Sequence, residues 1–246
     1  MCTGETRIRR LPFRTFSRRL VGANDMIQAV IFDMDGVLVD SEPFWQEAEM
    51  NVFATVGLHL TRAQCIETTG LPIADVVAIR FRQHPWNGKA QEVVSGEITG
   101  EVIRIVLERA VPLDGVPEVL EFFRNRRLPL ALASSSSPEL IAAVLGKLSL
   151  TDTFQVVHSA EQEQYGKPHP AVFLSTAGQL HTDPARCLVF EDSFNGLIAA
   201  KAARMKTVAL PMRTQRSEPR FDIADVKLNS LEEFSERHWE YLNSLS

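Results

Sequence analysis

Five short, β-rich apolar runs recur along this chain, and each ends at a residue that can do chemistry or turn the backbone. They are Ile27–Asp33 (IQAVIFD), Leu128–Ser134 (LPLALAS), Phe154–Ser159 (FQVVHS), Cys187–Asp192 (CLVFED) and Lys206–Pro211 (KTVALP). Continuous apolar runs of this length suit strands buried on both faces, as in a parallel sheet. Helix-like stretches lie between them: 138–148 after a serine cluster, 171–180 after a proline, and the alanine-rich 195–203. Strands alternating with helices predict an α/β fold with a doubly wound parallel sheet, whose ligands bind beyond the carboxyl ends of the strands.

Between Pro43 and Pro112 the period changes. No strand pattern occurs there, whereas PFWQEAEMNVFATVG, IADVVAIRFRQ and EVVSGEITGEVIRIVLERA all carry the apolar spacing of helices, with PWNG (Pro85–Gly88) as the turn between the last two. The predicted organisation is a helical cap domain over 43–111, inserted into a core domain made of 26–42 and 112–246. Leaving the core just after the first strand, the insert can cover that strand's end. The final stretch, SLEEFSERHWEYLNSL, reads as one amphipathic helix on the core.

Composition narrows the function class. Hydrophobic and charged fractions of 45% and 23% are ordinary for a globular protein, and no apolar run approaches the ~20 residues that span a bilayer. A soluble, cytoplasmic monomer without a membrane partner is expected. The net charge of −5 is uneven: residues 1–25 hold six Arg against Glu5 and Asp25, leaving 20 basic and 29 acidic side chains in the rest. So acidic a body excludes a general nucleic-acid binder, which needs clustered Lys and Arg. Cys2, Cys65 and Cys187 form no CxxC pair or zinc knuckle, and so sparse a count fits a reducing compartment. The Arg-rich start has the flavour of an organelle transit peptide but lacks a signal-peptide apolar segment; a disordered extension, or an upstream start with Met26 opening the folded chain, is the expectation.

Four segments at separate predicted strand ends carry candidate chemistry: Asp33-Met34-Asp35-Gly36, Ser134-Ser135-Ser136, Lys167-Pro168 and Glu191-Asp192. Together they offer carboxylates for a hard cation, hydroxyls and amides for an oxyanion, and one ammonium, an inventory for phosphoryl transfer. A carboxylate such as Asp33 attacks an anionic phosphate ester only where positive charge offsets the repulsion, and Lys167 with Mg²⁺ would supply it. Asp33, the Asp35 carbonyl and Asp192 would hold the metal. Asp35, two residues on, can aim at the leaving oxygen as general acid and then base, while Gly36 lets the chain bend. The Ser134 hydroxyl and Ser135 amide can meet phosphate at the start of the next helix. Taken singly, each segment has a plainer reading: the serines as turn and N-cap, Lys167 as solvated, Glu191-Asp192 as a helix start, and the Asp33 segment as a turn. Four strand ends in the same chain order make coincidence a poor account of the set.

VIFDMDGVLVDSEP, LALASSS, YGKPHP and LVFEDSFNG resemble the four motifs of haloacid dehalogenase superfamily phosphatases over residues 27 to about 245. The resemblance implies a Rossmann-like core with an inserted helical cap, Asp33 as nucleophile, Asp35 as acid/base, Ser134 and Lys167 on phosphate, and Glu191 and Asp192 in the metal-side acidic positions. Mg²⁺ is the implied cofactor, with Mn²⁺ or Co²⁺ as substitutes. PWNG, KPHPAVFL, EDSFNGLIAAKAARM and PRFDIADVKLNSL are similar to the bacterial 2-deoxyglucose-6-phosphate phosphatases, also called hexitol phosphatases, which implies small sugar or polyol phosphate substrates. Pro72 departs from that group, where a basic residue is expected.

Rival activities are weighed on the same residues. Dehalogenases lack the second aspartate of this motif and phosphonate hydrolases carry alanine there, so Asp35 argues against both. A sugar phosphomutase shares the core set but places a cap histidine where Trp45 stands, which favours water as the acceptor. A non-catalytic binding member is the alternative of another class. Glu42, Trp45 and Asn87 are expected near the substrate mouth, with cap packing and turn structure as the competing reading.

Overall fold

Both faces of the first strand are buried, and its side chains divide between them. In the computed structural model, which describes residues 26–245, the strands are β1 (Ala29–Phe32), β2 (Leu130–Ser134), β3 (Val156–Ser159), β4 (Cys187–Glu191), β5 (Lys206–Ala209) and β6 (Val226–Lys227). They form one sheet in the order β3-β2-β1-β4-β5-β6, every pairing parallel. The five apolar runs are all strands, shortened at their ends; the two-residue β6 is not predicted from sequence. The reading made of residues 1–25 lies outside the described residues.

The insert contributes α1 (Glu42–Thr55), α2 (Arg62–Ile66), α3 (Ile73–Gln83) and α4 (Gln91–Arg109). The core adds α5 (Val116–Asn125), α6 (Pro138–Lys147), α7 (Ala171–Gln179), α8 (Phe194–Ala202) and α9 (Glu236–Ser244). Val30 and Phe32 of β1 pack toward α5 and α6, Ala29 and Ile31 toward α7 and α8, so helices cover both faces. Alanines 199, 200 and 203 let α8 approach the sheet closely. The terminal stretch is not one helix: Ser235 interrupts it, with a single turn at Leu231–Glu233 before α9.

The order of strand addition reverses between β1 and β4, the parallel neighbours at the sheet's topological switch point. Beneath that crevice Phe32, the residue before Asp33, stacks on Phe190, the residue before Glu191, at 4.9 Å and 7° between planes. Phe123 and Phe154 meet the Phe32 ring edge-on. Such aromatic contacts contribute about 0.5–1.5 kcal/mol each beyond area burial, and here they fix the ends of the two strands relative to one another.

The insert departs and returns at one point, where the Leu113 amide donates to the Leu38 carbonyl (2.9 Å). Its helices bury Val52, Phe53, Ile98 and Val102 in an apolar cluster continuous with that on the α5–α6 side of the sheet. α4 packs along α6, and the Lys147 ammonium donates to the Glu108 carbonyl (3.1 Å).

Within the insert Glu49 on α1 is buried at 6% exposure, and its Oε2 has no hydrogen-bond partner. Burial pushes its carboxyl from 4.5 up to about 7, against the pull of the Cys65 thiol and Arg80. A folded value above the unfolded one means that the fold prefers the protonated acid. Glu49's contribution is complete below pH 4.5 and is lost as pH rises through about 7. Glu49→Gln is expected to raise the unfolding free energy at pH 8 by about 1–3 kcal/mol and to change it little at pH 4.5. Urea midpoints of the two proteins at both pH values check this; equal differences at the two would refute it.

Candidate active site

Asp33 follows the last residue of β1, its amide donating to the Phe190 carbonyl of β4 (2.9 Å). That bond places the carboxylate at the switch point, 5% exposed. The loop after β3 delivers Lys167, whose Nζ donates to Asp33 Oδ1 (2.6 Å), Glu191 Oε2 (2.8 Å) and the Ala133 carbonyl (3.3 Å). Three acceptors match the three hydrogens of an ammonium. The cation also lies over the Phe173 ring of α7, 4.9 Å from its centroid.

Glu191 ends β4 and is 1% exposed. Its other oxygen, Oε1, accepts from the Ser193 hydroxyl (2.7 Å) and amide (3.1 Å), and the same hydroxyl caps α8 by accepting from the Gly196 amide (2.9 Å). Both Glu191 oxygens are therefore engaged. Two glycines make room for these acids. A Cβ at Gly36, whose φ is +73°, would stand 2.1 Å from Asp192 Oδ2, and one at Gly196 would stand 2.0 Å from the Glu191 carboxyl carbon.

One oxygen from each of Asp33, Glu191 and Asp192 lies within 4.8 Å of the others. Burial, reinforced by Glu191 and Asp35, raises the Asp33 carboxyl well above the usual range although Lys167 opposes it. Burial, with Glu191 and Asp33, raises Asp192 likewise. Lys167 is raised in the other sense: burial opposes its charge, but Asp33 and Glu191 outweigh that cost. Three carboxylates against one ammonium leave an excess of two negative charges, and an all-oxygen donor set of this kind fits a hard divalent cation.

Asp35 is held apart from this cluster by hydroxyls. Ser41 Oγ donates to its Oδ1 and Ser136 Oγ to its Oδ2 (2.7 Å), while Ser134 Oγ stands 3.5 Å from Oδ2. Ser134 accepts from the Ser136 amide (3.1 Å), Ser135 is exposed, and Ser137 caps α6 by accepting from the Leu140 amide (3.3 Å). The expected convergence of Asp33, Asp35, Ser134, Lys167, Glu191 and Asp192 is thus present in the fold. Ser136 belongs to the serine segment singled out in sequence, but its bond to Asp35 is not legible there, and neither are the roles of Ser41 and Ser193. Ser41 precedes Pro43 at the start of α1, a capping position that sequence offers as structure rather than as a partner for Asp35.

The residues expected near the substrate mouth fare unevenly. Glu42, next to Ser41, accepts from Thr69 Oγ1 (2.6 Å) and Gln46 Nε2 (3.0 Å), and Trp45 lies half-buried in the first turn of α1. Asn87 is misplaced in the sequence reading. Trp86 packs on Phe53 and Phe81, and Lys89 donates to Thr55 Oγ1 (3.1 Å), so the 85–90 turn is pinned to the far end of α1. A helix of 14 residues is about 20 Å long, which puts exposed Asn87 remote from Asp35. Among the described residues no helix is long and apolar enough to cross a membrane.

Known proteins resemble this chain in sequence and fold. The chain is 41% identical over 210 residues to hexitol phosphatase B of Escherichia coli, covering 85% of this chain and 95% of the relative. It is 35% identical over 188 residues to a phosphorylated carbohydrates phosphatase of Thermotoga maritima, covering 74% and 84%. The crystal structure of CbbY from Rhodobacter sphaeroides in complex with phosphate superposes with a TM-score of 0.76 at 25% identity, covering 85% of this chain and 96% of that one. The haloacid dehalogenase-like hydrolase family model matches residues 27–204, and the chain belongs to that family.

Proposed function

We propose that this protein is a magnesium-dependent phosphatase that hydrolyses small sugar or polyol phosphates, such as hexitol phosphates or 2-deoxyglucose 6-phosphate, through an aspartyl phosphate on Asp33. The observation that carries the reading is the Lys167 ammonium seated between Asp33 (2.6 Å) and Glu191 (2.8 Å), beside a second aspartate held apart by hydroxyls. The 41% identity to a hexitol phosphatase supports the sugar and polyol class.

In the first step an Asp33 carboxylate oxygen attacks phosphorus, the ester P–O bond breaks, and protonated Asp35 gives its proton to the departing alkoxide. In the second, Asp35 takes a proton from water, whose oxygen attacks the aspartyl phosphate; the acyl P–O bond breaks, and Asp33 and inorganic phosphate are released. Lys167 opposes the burial that disfavours the Asp33 anion and neutralises a phosphate oxygen by exchanging its longest bond, to the Ala133 carbonyl. The Ser134 hydroxyl and Ser135 amide meet phosphate at the end of β2. Bound Mg²⁺, replaceable by Mn²⁺ or Co²⁺, supplies the remaining positive charge. Asp33, Asp192 and the Asp35 carbonyl would hold it, with Glu191 bracing the group through Lys167 and Ser193.

Residues 43–111 serve as the cap in this reading. Ser41 and Glu42 stand where it leaves the core, so Glu42 is placed to accept from substrate hydroxyls, and Trp45 occupies the position at which a phosphomutase would present histidine. Water is therefore the final acceptor.

Purified protein with Mg²⁺ is expected to release phosphate from p-nitrophenyl phosphate, and Asp33→Asn to lose at least about 10³-fold of that activity. Wild-type release no higher than the variant's would sink the reading. Asp35→Asn should accumulate acid-stable, alkali- and hydroxylamine-labile phosphoenzyme from ³²P-labelled substrate with magnesium affinity changed less than about threefold; unchanged turnover would remove Asp35 from proton transfer. Across a panel of sugar and polyol phosphates, Glu42→Ala should lower kcat/KM about tenfold for the preferred sugar phosphate and much less for p-nitrophenyl phosphate, the signature of a lost hydroxyl contact. Equal losses on both substrates would place Glu42 outside recognition.

A further inference from the structure

Lys167 must present an ammonium to three fixed acceptors from a loop, and the loop's own anchor lies elsewhere. Between β3 and α7 the chain makes one turn at Ala160–Gln162 and then runs to Lys167 without regular structure. Four residues before Lys167, Glu163 turns back toward the sheet. Its Oε1 lies 2.6 Å from Nε2 of His158, a β3 residue only 7% exposed. His158 Nδ1 faces Gln179 Nε2 at the end of α7 (3.2 Å), and Ser175 of the same helix hydrogen-bonds Glu163. The strand neighbour Ser159 donates to the Ser136 carbonyl (2.7 Å), and Ser136 in turn donates to Asp35. The end of β3 is thus tied to both chemical limbs of the site, and His158 is the tie on the lysine side.

We propose that the His158–Glu163 pair is a positioning latch: it fixes the 160–170 loop against β3 and α7 so that the Lys167 ammonium meets phosphate and Asp33 at the right distance. The proposal rests on the reading of Lys167 as a phosphate ligand. With Gln179 donating to Nδ1, His158 carries its proton on Nε2 and donates to the Glu163 carboxylate. The roles of the two ring nitrogens are set by these two partners. It touches neither substrate nor the metal-side acids, so its effect reaches catalysis only through the placement of Lys167. Displacements of about 1 Å at a positioning group can cost up to about a hundredfold in rate.

The test uses full-length protein with Mg²⁺, p-nitrophenyl phosphate as substrate and inorganic phosphate as product inhibitor. His158→Ala and Glu163→Ala should each raise KM and the phosphate inhibition constant by roughly tenfold, and in the same proportion, with a smaller fall in kcat. The double variant should be no worse than either single one, because both remove one latch. His158→Gln, which keeps a donor for Glu163, should return both constants to within about threefold of wild type. Glu163 sits on a partly exposed loop, so its variant keeps the test readable should His158→Ala fail to fold. Variants that melt at lower temperature but keep wild-type KM and phosphate inhibition would reduce the pair to ordinary packing and overturn the proposal. Should wild-type protein release no phosphate, the phosphatase reading fails separately. Calorimetric titration with inorganic phosphate then decides the latch: tenfold weaker binding by Glu163→Ala upholds it, and equal binding overturns it.

Discussion

Everything at this site depends on one ammonium buried among carboxylates. Lys167 is surrounded by Asp33 and Glu191, with Asp192 close behind, and removing such groups from water costs several kcal/mol for each ion unless attraction and hydrogen bonds offset it. The offset here is incomplete. Asp33 and Asp192 are both pushed toward protonation by burial and mutual repulsion, so the protein alone does not balance its acids. A fold that holds such an imbalance rigidly is prepared for added positive charge, and the aromatic stack of Phe32 on Phe190 supplies the rigidity directly beneath the two strand ends. The cost of crowding like charges is thereby carried by apolar packing a few ångströms away.

The parts legible in sequence were those with a local cause. Strands buried on both faces must be apolar nearly throughout, so β1, β2 and β4 stand out, and an acid at the end of such a run marks Asp33 and Glu191 as strand-end groups; β3, whose Val157 is exposed, and β5, which opens on Lys206, are legible from their β-rich composition. Elements stabilised by neighbours rather than by their own pattern were hidden. β6 is two residues long and exists because Val226 and Lys227 pair with Val208 and Ala209. α5 starts after Gly115 and carries Pro117 in its first turn, two residues that read as turn signals and mask the helical spacing of its buried Val116, Val119, Leu120 and Phe123.

The hydroxyls around Asp35 illustrate the same limit at the site. Serine is a common capping residue, and neither Ser41 nor Ser136 carries a sequence mark that separates capping from holding the Asp35 carboxylate. The Ser136 contact is long-range, the serine lying 101 residues from the carboxylate that it meets, whereas Ser41 is only 6 residues away. Asn87 failed for the converse reason. A turn with a polar tip looks like a binding loop, but the indole beside it is an anchor: Trp86 wedges between Phe53 and Phe81 and carries the tip to the distal end of the insert. Where a loop points is decided by its apolar member, not by its polar one.

The separation of two aspartates two residues apart follows from what each is bonded to. Asp33 accepts from an ammonium and sits with two other acids, an environment that favours a charged carboxylate once the excess negative charge is met. Asp35 accepts from hydroxyls of Ser41 and Ser136, neutral donors that can hold the side chain whether or not it carries a proton, because a hydroxyl can also accept. Gly36 makes this division possible: its positive φ turns the chain away directly after Asp35 and brings its backbone against Asp192, so close that a methyl group would displace the acid. One residue without a side chain thus lets a single strand end send one carboxylate into the charged cluster and the next into the hydroxyl cradle.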